Sequence, residues 1–267
     1  MPFTPAHAAA ALPLRRSRLI LSAVITGTMA PDIEYFVRLK PGGGWGHTIP
    51  GAFGLSLPAG VVALWLFHRF AKVGIAALLP AGLQRRLGPA LQPFQFLGLR
   101  RFLLIVVSLL AGIATHIAWD SLTHRHTWLY RHCQLLHAQV PMPLLQSLPL
   151  YEVLQWVSSL AGSAIVLFWI INWYRTTPPG PRPVDAAFSR TQKILILTAI
   201  LALSAGAGLL RGYLSAGIPR ERWTAGEFAA DGVVAFGALL WWQLVAWGAL
   251  MRMGVAHGSP QSELTIR

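Results

Sequence analysis

The sequence predicts an all-α fold, a polytopic transmembrane helix bundle with about five spans and a short re-entrant or interfacial N-terminal helix. The 267 residues are 54% hydrophobic and only 12% charged, which is typical of integral membrane proteins rather than soluble domains. Five apolar stretches approach the roughly 20 residues that a helix needs to cross a hydrocarbon core. Tryptophan and tyrosine residues flank these stretches, as in the aromatic belts of membrane interfaces. Composition, segment length and flanking aromatics therefore favour the same fold.

The predicted elements follow one another along the chain. Residues 19–29 are apolar but too short to cross, and they run directly into Pro31 and Asp32. The five expected spans are residues 50–67, 102–121, 153–173, 194–214 and 228–250. Between the third and fourth spans, residues 177–183 contain four prolines and cannot continue a helix. We therefore expect a membrane domain over 1–176 and two C-terminal helices over 184–267 packed on it.

We interpret the positive charge of the chain as a feature of a membrane protein. A net charge of +13 would suggest nucleic acid in a soluble protein, but no basic helix or aromatic-basic module is present. The charges lie in loops, where they orient the spans and attract membrane lipids. The basic loops 69–101 and 174–193 should be cytoplasmic, which places residues 1–49 and 121–152 on the opposite side. We expect a multi-pass protein of the inner (plasma) membrane, without nucleic acid and with its oligomeric state open.

The most informative motif is a stripe of three ionisable residues at the end of the second span. Asp120 lies four residues after His116 and four before His124, so a helix presents all three on one slowly rotating face. Ionisable groups are costly at membrane depth. Imidazole nitrogens and carboxylate oxygens are normal ligands of zinc and other divalent transition metals. The alternative to a metal site is a solvated helix end, where the polar side chains only contact water.

Further candidate donors fall on the same predicted side of the membrane: His7, Asp32, Glu34 and His47. Zinc needs three or four ligands, so this inventory suits one ion and leaves room for two. His124 would lie about 12 Å from His116 along a straight helix. It reaches the same ion only if the helix ends or bends near Thr123. Otherwise a second ion or a substrate contact is as good an explanation for His124.

Four ordered motifs carry a family resemblance: residues 1–7 with His7, the Ala-Pro-Asp segment at 30–32, Gly46-His47-Thr48, and residues 115–124. They resemble a family of bacterial integral membrane proteins known only as a domain of unknown function. More remotely, the chain is similar to predicted membrane-bound metal-dependent hydrolases. This resemblance implies His7, Asp32, His47, His116 and Asp120 as metal ligands, with His124 matched in the close family only. Glu34 could be a ligand, an acceptor that orients an imidazole, or a base.

These observations favour a membrane-embedded metal-dependent hydrolase, with zinc as the expected cofactor and a lipid or phosphoester as substrate at the extracytoplasmic face. Asp32 or Glu34 would accept a proton, and Arg125 or Arg131 would bind an anionic substrate. A divalent-metal transporter or sensor and a non-catalytic scaffold remain alternatives. Asp231 in the fifth span should cap its helix or pair with a basic neighbour such as Arg211.

Overall fold

The protein is described by a computed structural model that covers residues 4–42, 44–125, 127–142, 145–180 and 188–257. The predicted all-α class is confirmed, with 78% of the structure helical. The α-helices are α1 (Leu21–Gly27), α2 (Ile33–Arg38), α3 (Ile49–Leu78), α4 (Ala81–Gln84), α5 (Leu99–Thr123), α6 (Trp128–His132), α7 (Leu150–Thr176), α8 (Arg190–Ala216) and α9 (Arg222–His257). Short 3₁₀ segments lie at Thr4–Ala11, Pro13–Arg16, Ala30–Asp32, Pro89–Leu91 and Gln134–His137.

Five helices are long and apolar enough to cross a membrane, in agreement with the predicted spans. They contain the predicted apolar stretches and extend past both ends of each, because a helix continues through polar residues at the interface. The largest difference is in α3, which continues from the predicted end at residue 67 to Leu78 through two π-helical segments, Ala52–Ser56 and Phe67–Ala71. Large apolar side chains such as Trp156, Leu160 and Phe168 are exposed on α7, as expected of a surface that contacts lipid.

The predicted short N-terminal helix is present as α1, and it packs directly on the long helix α5. The contact depends on two glycines. A Cβ atom added to Gly27 would lie 2.2 Å from the carbonyl oxygen of Leu109, and one added to Gly112 would lie 2.2 Å from that of Val24. The two backbones therefore touch, which fixes the C-terminal end of α1 against the middle of α5.

Contacts divide the chain into two compact units. The first comprises the described residues of Met1–Leu64 and Gln95–Thr177, and the second those of Trp65–Phe94 and Pro178–Arg267. The first unit contains α1, α2, α5 and α7 together with an antiparallel hairpin of β1 (Gln139–Met142) and β2 (Leu145–Pro149). This hairpin, in which Val140 lies opposite Leu148, was not predicted. The predicted boundary between 1–176 and 184–267 stays a prediction.

Within the second unit, α8 and α9 pack closely through small residues. A Cβ atom on Gly208 would lie 2.7 Å from the carbonyl oxygen of Gly232. The close approach brings polar groups of the two helices together. Arg211 and Asp231 form an ion pair at 3.1 Å, which confirms the expected pairing, and Gln243 donates a hydrogen bond to Ser204.

Candidate metal centre

Four side chains of the first unit converge at one end of α5. Asp32 lies at the turn before α2, His47 lies in the loop before α3, and His116 and Asp120 project from α5. Each offers one potential ligand atom, and these four atoms lie within 4.8 Å of one another. Asp32, His116 and Asp120 are buried, and the side chain of His47 is 19% exposed. The structure thus brings together residues that are up to 88 positions apart in sequence.

The distances between these donor atoms match the geometry of a metal site. The Nε2 atom of His47 lies 3.3 Å from Oδ1 of Asp32 and 3.3 Å from Oδ2 of Asp120. The Nε2 atom of His116 lies 3.6 Å and 3.2 Å from the same two oxygens, and 3.1 Å from Nε2 of His47. Tetrahedral zinc with bonds of about 2.0–2.2 Å separates its ligand atoms by about 3.3–3.6 Å. Five of the six distances between the four donor atoms are therefore close to those around a tetrahedral zinc ion.

The backbone of α1 fixes the ring of His116. Its Nδ1 atom lies 2.8 Å from the carbonyl oxygen of Thr28, directly after α1. A carbonyl only accepts hydrogen bonds, so Nδ1 carries the proton and Nε2 presents a lone pair to the other donors. Metal-bound histidines are commonly oriented by such a bond to the second ring nitrogen. The contact of α1 with α5 at Gly27 and Gly112 holds the carbonyl in place.

Two hydroxyl groups orient the carboxylate of Asp32. The hydroxyl of Thr4 donates to Oδ2 at 2.6 Å, and the phenol of Tyr35 hydrogen-bonds the same side chain. Burial, followed by the charge of Asp32, raises the pKa of Tyr35, so this phenol stays protonated and able to donate. Oδ1 remains directed at His47 and His116, and no hydrogen bond reaches it from the described residues.

The loop that carries His47 is held through the backbone of Gly46. Its N–H donates to Oε2 of Glu34 at 3.3 Å, and its carbonyl accepts from the hydroxyl of Ser56 at 3.0 Å. A Cβ atom at this position would lie 2.6 Å from the carbonyl oxygen of Pro31, so only glycine lets the loop approach the turn before Asp32. His47 itself stacks on Tyr35, with ring centroids 5.9 Å apart.

The pKa values of His47 and His7 are shifted in opposite directions. Burial alone would lower the pKa of His47, but the nearby carboxylates of Asp120 and Asp32 raise it to about 9. Burial, with the neighbouring His116, lowers the pKa of His7 to about 4 against the attraction of the two carboxylates. At neutral pH a proton on His47 partly balances the buried acids, whereas His7 is neutral.

The burial of these groups also fits a cation. Asp32 and Asp120 are both buried, and their charged neighbours within 4.0 Å in the described part of the chain are all histidines. Buried carboxylates need a hydrogen-bonded partner or a metal to offset the loss of hydration. Two aspartates and two imidazoles with aligned lone pairs form a donor set that suits zinc.

Of the remaining predicted site residues, His7 and His124 lie beside this set. Nε2 of His7 lies 3.4 Å from Oδ1 of Asp120, and Nδ1 of His124 lies 3.5 Å from the same oxygen. Glu34 is buried against Gly46 and is not one of the four mutually close donors. Arg125 is exposed and donates to the hydroxyl of Tyr151, while Arg131 is exposed on α6.

Sequence reasoning gave no role to Thr4, Thr28 or Tyr35. Thr4 and Tyr35 lie within three residues of predicted ligands, so their nearness in sequence was the available signal. Thr28 acts through its carbonyl oxygen, which every residue type possesses, so its identity carried no signal.

One comparison with known proteins gave a match. A family model described as a domain of unknown function, DUF4184, matches residues 1–249, which include every donor described above. No curated protein and no solved structure matches the chain.

Proposed function

We propose that this chain, which belongs to the DUF4184 family, is a metal-dependent hydrolase of the inner (plasma) membrane that cleaves a phosphoester or other ester of a lipid at the extracytoplasmic face. The observation that carries the proposal is the donor set of Asp32, His47, His116 and Asp120, whose mutual distances fit a tetrahedral zinc ion. The remote resemblance to metal-dependent membrane hydrolases supports the same reaction class.

The position of the donors along α5 favours a lipid substrate. His116 and Asp120 lie in the last turns of this span, which ends at Thr123. The end of a span lies near the depth of lipid headgroups, where ester and phosphoester bonds are found. The partial exposure of His47 offers an approach to the donors from outside the protein.

The metal ion and the protein side chains would have different roles in the reaction. A divalent ion held beside Asp120 would polarise the scissile group and make a bound water more acidic. Asp32 acts as a ligand because Thr4 occupies its other oxygen. We assign proton acceptance to Glu34, which is buried and whose Oε1 receives no hydrogen bond from the described residues.

Arg125 suits the binding of an anionic headgroup. Its guanidinium group donates to Tyr151 and lies over that ring, at 5.4 Å from the centroid. Among the described residues, one of its five N–H donors is engaged there, and guanidinium N–H groups match phosphate oxygens. Arg131, exposed on the next helix, is the second candidate for the same role.

The packing of α5 argues against the alternative of a metal transporter. A transporter needs polar groups along a path through the membrane. Ile105, Leu109 and Ile113, which precede His116 on the same helix, are buried apolar side chains with at most 2% exposure. They fill the interior beneath the donors, so the buried ionisable groups lie at one end of the helix.

The test is hydrolysis by the purified protein in lipid nanodiscs that contain phosphatidylcholine and phosphatidylglycerol. Release of phosphate or phosphorylated headgroup should require zinc, stop with a chelator and return when zinc is restored. His116→Ala should lose this activity. His132→Ala is the matched control, because His132 is exposed, stacks on Trp128 and is not among the histidines within 4.0 Å of Asp32 or Asp120.

A zinc-loaded protein that leaves these phospholipids and a panel of carboxylic esters intact would contradict the hydrolase. Zinc flux in proteoliposomes would then identify a transporter, and the absence of flux a sensor or scaffold.

A further inference from the structure

We propose that the carboxylate of Asp120 bridges two metal ions, with a second divalent-cation site formed by Oδ1 of Asp120, Nε2 of His7 and Nδ1 of His124. The four-donor centre described above uses the other oxygen, Oδ2. This inference extends the proposed function by naming the place where water and substrate bind, but it can be tested without any activity.

The two oxygens of Asp120 face different neighbours. Oδ2 lies 3.3 Å from His47 and 3.2 Å from His116, whereas Oδ1 lies 3.4 Å from His7 and 3.5 Å from His124. The two distances from Oδ1 match the separation of about 3.3–3.6 Å between ligands of one tetrahedral ion. Carboxylate-bridged metal pairs, about 3.5–4 Å apart, are common in hydrolytic enzymes.

His7 gives independent evidence for a ligand on this side. Its residue is 3% exposed, and neither ring nitrogen has a hydrogen-bond partner in the described part of the chain. Oδ1 of Asp120 likewise accepts no hydrogen bond from described residues. Buried polar atoms are rarely left in this state, because each forfeits its bonds to water. A cation between them satisfies both atoms at once.

The surrounding structure fixes the His7 ring where such a site needs it. The ring stacks on His116 with centroids 4.1 Å apart and an angle of 25° between the planes. The ring of Trp119 is also a neighbour, in a T-shaped arrangement with centroids 6.1 Å apart. These contacts limit the rotation of the His7 ring, whose Nε2 atom lies 3.4 Å from Asp120.

The end of α5 explains how His124 reaches the same carboxylate. The helix stops at Thr123, and His124 adopts an extended backbone with φ −122° and ψ 146°. This change turns the side chain back so that Nδ1 approaches Oδ1 of Asp120. His124 is not one of the four mutually close donors, so it serves the second side of the carboxylate rather than the first.

The two sites differ in the number of protein ligands. The first has four, which closes a tetrahedral ion, whereas the second has three and leaves a position for water or a substrate oxygen. The side chain of His124 is 26% exposed, so this second site is also the more open to solvent. A phosphoester oxygen is the ligand class that fits the open position.

Metal counting tests the proposal. Metal-free protein in detergent is titrated with zinc, and bound zinc per chain is measured by mass spectrometry after gel filtration. The wild-type protein and the His132→Ala control should bind two ions, whereas His7→Gln and His124→Gln should each bind one. A wild-type protein that saturates at one ion, or His7→Gln and His124→Gln variants that both keep two, would overturn the second site.

A measurement on the unaltered protein removes any dependence on the folding of variants. Manganese added at two equivalents should give the electron paramagnetic resonance spectrum of a coupled pair, which should be absent at a fraction of one equivalent. Two uncoupled signals at saturation would exclude the carboxylate bridge. One bound ion with hydrolysis would refute only the second site, whereas two bound ions without hydrolysis would refute only the proposed function.

Discussion

Two acidic side chains are buried within predicted membrane spans, Asp120 on α5 and Asp231 on α9, and their surroundings differ. Asp231 is 1% exposed and lies 3.1 Å from a guanidinium nitrogen of Arg211. Asp120 is 5% exposed, and its charged-group neighbours in the described residues are the imidazoles of His7, His47, His116 and His124.

The two acids differ in the kind of partner that balances their charge. Arg211 carries a permanent charge, so the cationic partner of Asp231 in the second unit does not depend on pH. Imidazoles change charge near neutral pH and bind metals when neutral. A carboxylate surrounded by several imidazoles therefore has an exchangeable partner, a proton or a metal ion, whereas Asp231 has a fixed one.

The largest expected effect comes from removing each acid in turn. Asp120→Ala should lose nearly all bound zinc, because it contributes an oxygen to each proposed ion. Asp231→Ala should keep its zinc and instead lose stability, since breaking a buried ion pair costs about 3–5 kcal/mol. Zinc content by mass spectrometry and thermal unfolding in detergent check both variants. Zinc loss in Asp231→Ala with retention in Asp120→Ala would reverse the comparison.

A smaller effect is expected from loosening a ligand without removing it. Thr4→Val deletes the hydroxyl that donates to Oδ2 of Asp32 at 2.6 Å and keeps the side-chain shape. Loss of such orienting bonds typically weakens metal affinity about 10–100-fold. Competition with a fluorescent zinc chelator measures this change. The matched control is Thr176→Val, whose hydroxyl bonds only to its own helix, and its affinity should equal that of the wild type.

The smallest expected effect is that of a change of one pH unit on zinc affinity. The pKa of His47 is about 9 in the metal-free protein, so zinc must displace its proton at neutral pH. Affinity should fall about tenfold for each pH unit from 9 down to 7, with about one proton released from His47 per first ion. His7, with a pKa of about 4, is already neutral there and releases none.

Calorimetry in buffers of different ionisation enthalpy counts the protons released. His7→Ala should release the same number for its first ion as the wild type. Equal zinc affinity at pH 7 and pH 9 would show that His47 is not a ligand.

Much of the fold follows from signals that are local in sequence. The length and composition of each apolar stretch predicted the five spans, and the spacing of four residues predicted that His116 and Asp120 share a helix face. The pairing of Asp231 with Arg211 followed from the cost of an isolated charge. Each of these inferences needs only the residues of one helix or a short list of opposite charges.

The details of the site depend on contacts that no local pattern encodes. The sequence directly after Thr123 contains neither glycine nor proline, so no strong signal marks the end of α5. The position of this end nevertheless determines that His124 faces Oδ1 of Asp120. The hydrogen-bond partner of His116 is the backbone carbonyl of Thr28, a group that every residue has, so the residue type at this position does not predict the contact. The two carboxylate oxygens of Asp120 have different neighbours because the N-terminal segment places His7 beside one of them. The packing of this segment depends on the whole first unit.

The way in which His7 is held has a consequence for the order of assembly. The Thr4–Ala11 segment packs on α7, where a Cβ atom on Gly162 would lie 2.7 Å from the carbonyl oxygen of Ala6. The position of His7 beside Asp120 therefore depends on a helix that begins only at Leu150. In a nascent chain, His7 cannot take this position before α7 has been synthesised. The second metal site that we propose would accordingly form late in biogenesis.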